Sequence, residues 1–149
     1  MKLNLGAGYN HQEGYISIDK RKVAGVDIVC DLEHFPWPLK DECCSVVAAS
    51  HIMEHIKPWL TIDFMNEIWR VMKKGGMLAV SVPYAGTPEF WAEPTHCNGF
   101  IEATFNFFDP RAEMYKVYTP QPWKIISGYP YRDERGIMHV MMQKMTDEN

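Results

Sequence analysis

The tightest constraint on this chain is the shortness of the links between its first apolar runs. Lys2–Leu5, Tyr15–Ile18, Val26–Cys30 and Ser45–Ala49 read as strands rich in Val, Ile and Leu, the composition of parallel strands buried on both faces. Only seven residues separate Gly8 from Ile16, and again seven separate Asp19 from Asp27. A parallel crossover ordinarily takes about a dozen residues, usually as a helix. Either these strands are joined by bare loops, which would leave part of one sheet face without a helix, or the strand reading itself fails.

One helix is written clearly. Pro58 suits its first turn, and Leu60, Phe64, Ile68 and Met72 recur every four residues. Lys73-Lys74 would complement its C-terminal dipole and Gly75-Gly76 would end it, ahead of a buried strand at Met77–Val82 closed by Pro83. Tyr84–Gly99 is crowded with Pro, Gly and aromatic residues, and Ile101–Phe108 fits a short helix ended by Asp109-Pro110. Trp123–Tyr129 and Ile137–Met145 read as antiparallel strands joined across Arg132–Gly136, and Met145–Asn149 as a frayed tail. The 149 residues carry no repeat or linker, so one domain is expected, with a ligand-binding half (1–83), an irregular region (84–122) and a C-terminal strand pair (123–145).

The net charge of −4 argues against a bulk electrostatic hold on nucleic acid. No apolar run approaches the ~18 residues of a membrane span, and the start runs straight into a strand, so neither a span nor a signal peptide is expected. Cys30, Cys43, Cys44 and Cys97 show no Cys-x-x-Cys spacing, which fits reduced thiols in a cytoplasmic protein.

The chemistry gathers at the strand ends. Leu3-Asn4-Leu5-Gly6-Ala7-Gly8 closes a strand with Gly-x-Gly, which lets backbone turn tightly and approach a ligand. Asp19 ends the next run, where a carboxylate can accept both hydroxyls of a ribose. Asp31-Leu32 follows the third, offering a carboxylate and a backbone amide to an adenine, and Ser50-His51 leaves the fourth. In an open α/β sheet these ends lie side by side along the carboxyl edge, where such folds bind ligands.

This set resembles the class I S-adenosylmethionine-dependent methyltransferases, in particular the broad group acting mostly on small molecules. The likeness runs from Lys2 to about Pro83. It rests on residues 3–8, Ile16-Ser17-Ile18-Asp19, Asp31-Leu32 with Phe35-Pro36-Trp37-Pro38, Ser50-His51-Ile52-Met53-Glu54-His55, and Lys74-Gly75-Gly76. It implies a Rossmann-like α/β sheet of seven strands, mostly parallel with an antiparallel last strand. Here that sheet would have reduced helix content and a C-terminal antiparallel hairpin. It implies S-adenosylmethionine as cofactor and S-adenosylhomocysteine as product. Asn4, Gly6, Ala7, Gly8, Asp19, Asp31, Leu32, Ser50 and His51 would hold them, with Gly6 and Gly8 beside the methionine moiety. Asn10 stands where a third glycine is common, and Asp19 follows Gly6 by only 13 residues. A dinucleotide is disfavoured on the same ground, since its pyrophosphate needs a helix N-terminus after the glycines.

Glu93-Pro94-Thr95-His96 follows the fifth strand and resembles an Asp/Glu-Pro-Thr-His stretch of some bacterial members. His96, with His51 second, is the candidate general base, and the alternative for His96 is a histidine hydrogen-bonded within a polar loop. Tyr84, Glu89 and Trp91 are candidates for the same pocket, the aromatic pair equally for packing. Lys20-Arg21-Lys22 reads as a solvated loop one step past the ribose acid. His51-x-x-Glu54-His55 also spells the inverted zinc-peptidase pattern, which needs a helix to put both histidines on one face. Lys57-Pro58 interrupts any such helix and no third ligand follows, so no metal is expected and Glu54 and His55 are read as orienting the cofactor edge. The Asp/Asn-Pro-Pro-Tyr/Phe of DNA amino-methylases and a Pro-Cys nucleophile are both absent. The expectation is a methyltransferase acting on a small molecule or a side chain rather than on nucleic acid. It would pair as a homodimer through the under-covered sheet face near the first three strands. The alternative is a non-catalytic module of the same fold. Sugar, metabolite, lipid headgroup and protein side chain all remain open as acceptors.

Overall fold

In the computed structural model, which describes residues 1–146, eight strands form one sheet. They are β1 (Lys2–Leu5), β2 (Ile16–Asp19), β3 (Ile28–Val29), β4 (Cys44–Ser50), β5 (Met72–Pro83), β6 (Trp123–Ile125), β7 (Tyr131–Arg132) and β8 (Ile137–Lys144). Their order is β3-β2-β1-β4-β5-β8-β6, with β7 pairing the outer half of β8. The first five run parallel, and β8 lies antiparallel to β5, β6 and β7. Of the expected tail, the last three residues lie outside the described ones.

The expected bare loops are there. No helix separates β1 from β2, β2 from β3 or β3 from β4. Hydrogen bonds do part of the work of the missing helices. Asn4 Nδ2 donates to the Asn10 carbonyl (2.9 Å), and the Asp27 carboxylate accepts the Ser17 N–H (2.7 Å). Asn4 and Ser17 are consequently buried beneath the loops, so the sheet is better covered over β1 and β2 than the sequence suggested. The open stretch lies instead over β4, β5 and β8. There Val46, Ala48, Met77, Ala79 and Met141 stay half-buried and apart from the core, while their alternates Val47, Ala49, Leu78, Val80 and Val140 are buried in it.

On the core side, helix α1 (Thr61–Val71) buries Phe64, Met65, Ile68 and Val71. A 3₁₀ turn at Pro58–Leu60 leads into it. Helix and strand then meet without the expected stop. Helix α1 ends at Val71, and β5 begins at Met72, which pairs with Cys44 before a register shift carries the strand to Met77 opposite Val46. Lys73-Lys74 and Gly75-Gly76 thus lie within this irregular strand, because sheet pairing outcompetes one more helical turn. A second short helix, α2 (Pro88–Ala92), and the 3₁₀ turns at 102–108 and 113–117 make up the irregular region.

The loop between β3 and β4 is fastened to α1 by charge-assisted bonds. Glu67 accepts the Trp37 N–H (2.7 Å) and pairs with Arg70, which also reaches the Leu39 carbonyl and Asp41. The Trp37 indole, almost wholly buried, donates to the Leu32 carbonyl (3.2 Å) and meets Phe64 edge-on. Loop 31–43 therefore fills the space a helix would take, and holds Asp31-Leu32 at the sheet edge.

Candidate active site

A cleft of about 440 Å³ opens at the carboxyl ends of β1, β2, β3 and β4. Gly6, Asp19, Asp31, Leu32 and His51 line it, one or more from each strand end singled out in the sequence. Lys20, Arg21, Glu33, Ile52, His55, Ile56 and Thr95 complete the wall. Asn4, Ala7, Gly8 and Ser50 are not among the lining residues. Ala7 donates its N–H to the Ile18 carbonyl (3.1 Å), and Ser50 pairs with Ser81 across the sheet, so these four shape the edge from behind.

Gly6 is required by its surroundings. Its φ is +64°, and a Cβ there would come 2.7 Å from Cδ1 of Ile52 and 2.9 Å from its Cβ. The backbone therefore passes where only a residue without a side chain fits. Gly8 donates its N–H to Asp19 Oδ2 (2.8 Å), which ties the glycine turn to the end of β2.

Asp19 is nearly buried and its carboxylate is already engaged. Oδ1 accepts the Arg21 N–H (2.8 Å) and the Arg21 Nε–H (3.2 Å). Burial pushes the Asp19 pKa up, but the bonds from Arg21 and Gly8 outweigh it and hold the carboxyl below its ordinary range. The Arg21 guanidinium thus sits over the acid read as the ribose partner. Its side chain is 57% exposed and is held on the acid by the Nε bond. Lys20-Arg21, read as a solvated loop one step past the ribose acid, is exposed and also lines the cleft.

Asp31 accepts the Glu33 N–H (3.0 Å) and lies 3.0 Å from His34, and these partners lower its pKa against the pull of burial. Glu33 in turn takes Lys57 by both its backbone N–H and its Nζ, each at 2.8 Å. The apolar wall facing these acids is Leu32, Ile52 and Ile56.

His51 and His55 line the cleft, while His96, the first candidate base, stands outside its lining. His51 follows β4 with φ +54°, held by its N–H to the Ser81 carbonyl (2.8 Å). The helix that the zinc-peptidase pattern needs is a 3₁₀ turn of three residues, Met53–His55. His51 and His55 therefore do not share a helix face. His96 arrives instead from the loop after α2, stacked edge-on against His55 at 4.9 Å, and the backbone carbonyl of Glu54 clamps that loop by accepting the N–H groups of Cys97 (2.9 Å) and Asn98 (3.1 Å). The Glu54 side chain points into the middle of the group. His51 Nδ1 comes 3.4 Å from Glu54 Oε1, and this carboxylate raises the His51 pKa against burial and the charge of Arg135. Sequence order concealed this meeting, since His96 is 41 positions past His55.

Tyr84, Glu89 and Trp91 are not among the cleft-lining residues. Tyr84 takes Arg132 over its ring at 4.4 Å, and Trp91 is 73% exposed with its indole on the Ala85 carbonyl. All four cysteines are free thiols. Among the described residues, no helix is long and apolar enough to cross a membrane.

The sequence profile of a methyltransferase domain matches residues 6–80, half of the chain, which supplies every cleft-lining residue but Thr95. The chain belongs to this methyltransferase family. The fold agrees with the class I S-adenosylmethionine-dependent enzymes among solved structures. An S-adenosylmethionine-dependent methyltransferase from Archaeoglobus fulgidus superposes with a TM-score of 0.68 at 15% identity, covering 96% of this chain and 85% of that one. One from Aquifex aeolicus gives 0.65 at 13%, covering 97% and 81%. The Burkholderia thailandensis 1,6-didemethyltoxoflavin-N1-methyltransferase, solved with bound 1,6-didemethyltoxoflavin and S-adenosylhomocysteine, gives 0.68 at 10%, covering 97% and 71%. No curated protein sequence matches the chain.

Proposed function

We propose that the protein methylates a small molecule or an exposed side chain, with the acceptor entering the cleft beside His51. The observation that carries this reading is the convergence of Gly6, Asp19, Asp31-Leu32 and His51 on one cavity. The cofactor is S-adenosylmethionine, which supplies an electrophilic methyl group on a sulfonium when bound. The residues present suit it. The glycine turn admits close approach, Asp19 offers a carboxylate once Arg21 swings away, and Leu32, Ile52 and Ile56 give an apolar wall to an adenine. No phosphate-binding helix N-terminus is needed, and none follows the glycines.

The chain's own contribution is chiefly placement, worth up to ~7–11 kcal/mol for well-oriented reactants. His51 is half-exposed on the cleft wall, where it would take a proton from a hydroxyl acceptor. His96, the other candidate base, is mostly covered and spends Nδ1 on the Phe90 carbonyl (2.7 Å). The acidic balance of the chain supports an acceptor other than nucleic acid. A second copy of the chain is the proposed partner, seated on the open sheet face of β4, β5 and β8.

The test is a calorimetric titration with S-adenosylhomocysteine. Wild type should bind at micromolar concentration. Asp19→Ala removes a charged acceptor and should weaken binding by about 1.5–3 kcal/mol, roughly ten- to more than a hundredfold. His51→Ala should bind nearly as wild type but transfer methyl ~100-fold more slowly. A folded wild type that binds no S-adenosylhomocysteine would overturn the reading, and binding without any turnover would favour a non-catalytic module.

A further inference from the structure

We infer that Glu54, His55 and His96, with Glu93 as a fourth ligand, bind one divalent transition-metal ion at the acceptor end of the cleft. Glu54 is the starting point. It is fully buried, and neither carboxylate oxygen accepts a hydrogen bond among the described residues; the nearest cationic group is His51, its Nδ1 3.4 Å from Oε1. A buried carboxylate with one loose, half-exposed partner is costly, and such groups are found further neutralised by a proton, an ion pair or a metal. One ligand atom each from Glu54, His55 and His96 lie within 4.8 Å of one another, close enough to share an ion.

The protons of the two imidazoles can be placed. His96 Nδ1 lies 2.7 Å from the Phe90 carbonyl, which only accepts, so Nδ1 carries the hydrogen and neutral His96 presents a bare Nε2. The Thr95 hydroxyl donates to Glu93, so at 3.1 Å it accepts from His55 Nδ1, and neutral His55 also presents a bare Nε2. These two nitrogens face the carboxylates. His96 Nε2 lies 3.2 Å from Glu93 Oε2 and 4.0 Å from Glu54 Oε1, and His55 Nε2 lies 3.6 Å from Glu93 Oε2. Within this group four acceptors converge; His51 Nδ1 serves Glu54 alone, from 3.4 Å, and leaves Glu93 and the two bare imidazole nitrogens to share a cation. The outer partners are those of metal-bound histidines, whose second nitrogen donates to a carbonyl or an ordered oxygen. Two imidazoles and carboxylates suit zinc or a neighbouring transition ion rather than magnesium or calcium.

What the ion does rests on the methyltransferase reading; whether it binds does not. His55 and Thr95 share the cleft wall with Gly6 and Asp19, so an ion here would face the acceptor. It would select acceptors that offer an oxygen or nitrogen ligand, and would lower the pKa of a coordinated hydroxyl. His96 then acts as a ligand rather than as a base.

The experiment uses the whole chain after chelator treatment, titrated with Zn²⁺ by calorimetry and with Co²⁺ by visible absorption. Wild type, Glu54→Gln, His96→Ala and the control His11→Ala are compared, since His11 lies outside the group against the Ala24 carbonyl. S-adenosylhomocysteine binding is measured on every sample. The expected result is one Zn²⁺ per chain in wild type and His11→Ala, weakened ~100-fold or more in Glu54→Gln and His96→Ala, with Co²⁺ absorption of a low-coordinate site lost in both. Glu54→Gln is nearly isosteric and removes the buried charge. Zn²⁺ should raise the melting temperature of wild type and leave that of Glu54→Gln unchanged. This second readout stands even if His96→Ala does not fold. Wild type that binds S-adenosylhomocysteine but no Zn²⁺ overturns the metal site and leaves the methyltransferase reading intact. Zn²⁺ bound without S-adenosylhomocysteine does the reverse. Zn²⁺ binding unchanged in Glu54→Gln, or lost in His11→Ala, overturns it as well.

Discussion

Replacing Gly6 by alanine tests the glycine turn at its tightest point. Two costs add. A φ of +64° is one an L-residue adopts at about 1–2 kcal/mol. The new methyl would also stand 2.7, 2.8 and 2.9 Å from Cδ1, Cγ1 and Cβ of Ile52, an overpacking usually worth about 1–3 kcal/mol. Against these, alanine stiffens the unfolded chain by about 0.4–1 kcal/mol. The net loss is about 1–4.6 kcal/mol, which for a domain of this size lowers the melting temperature by about 2–4 °C for each kcal/mol. Urea unfolding gives the free energy, and S-adenosylhomocysteine titration the consequence for the cleft. Ile52 lines the cleft, so the displaced side chain should weaken binding too. The double variant with Ile52→Ala separates the costs. It relieves most of the contact but not the backbone strain, so the pair should couple by about 0.5–2 kcal/mol. A Gly6→Ala protein within 0.5 kcal/mol of wild type would refute the argument, and strict additivity with Ile52→Ala would remove the contact as its cause.

Three further outcomes follow from the same structure. Glu67 is buried, yet Arg70 and the Trp37 N–H outweigh that burial and hold its pKa below 4.5, so its stabilisation is present above that pH and is lost as pH falls through the lower folded value. Glu67→Gln should cost about 1.5–3 kcal/mol at pH 7 and flatten the acid limb of a stability–pH curve; an unchanged limb would exclude Glu67 as its source. Arg21→Ala uncovers Asp19 without removing it, so S-adenosylhomocysteine should bind at least as tightly as to wild type; a tenfold loss would make Arg21 a ligand contact instead. Sedimentation should give a dimer at micromolar concentration that Ala79→Glu, on the open face, dissociates; a monomeric wild type would end the homodimer proposal.

The strand ends were legible because their chemistry and spacing are local. Gly6, Asp19, Asp31, Leu32 and His51 each stand where an apolar run stops, and parallel pairing brings such stops to one edge whatever joins them. The bare crossovers were legible too, since seven residues set a limit that no tertiary contact can relax. The helix stop was misread. Lys73-Lys74-Gly75-Gly76 has every local mark of a helix end, but pairing of Met72 with Cys44 is decided by β4, and no window around Gly75 contains β4. The fate of Lys20-Arg21 was hidden for the opposite reason. The loop is solvated as read, but its sequence does not show that Arg21 turns back onto the Asp19 carboxylate two residues away.

The histidine group makes the same point at longer range. The motif from His51 to His55 invites a helix with two histidines on one face, and the chain declines it through Pro58 and the short turn at Met53–His55. What the turn does instead is bury Glu54. Its backbone carbonyl draws in Cys97 and Asn98, and this clamp carries His96 to within 4.0 Å of the Glu54 carboxylate. The main chain of one residue therefore recruits the partner that its own side chain faces. A helix would have spent that carbonyl on its own ladder, so losing the helix is what allows the third group to arrive.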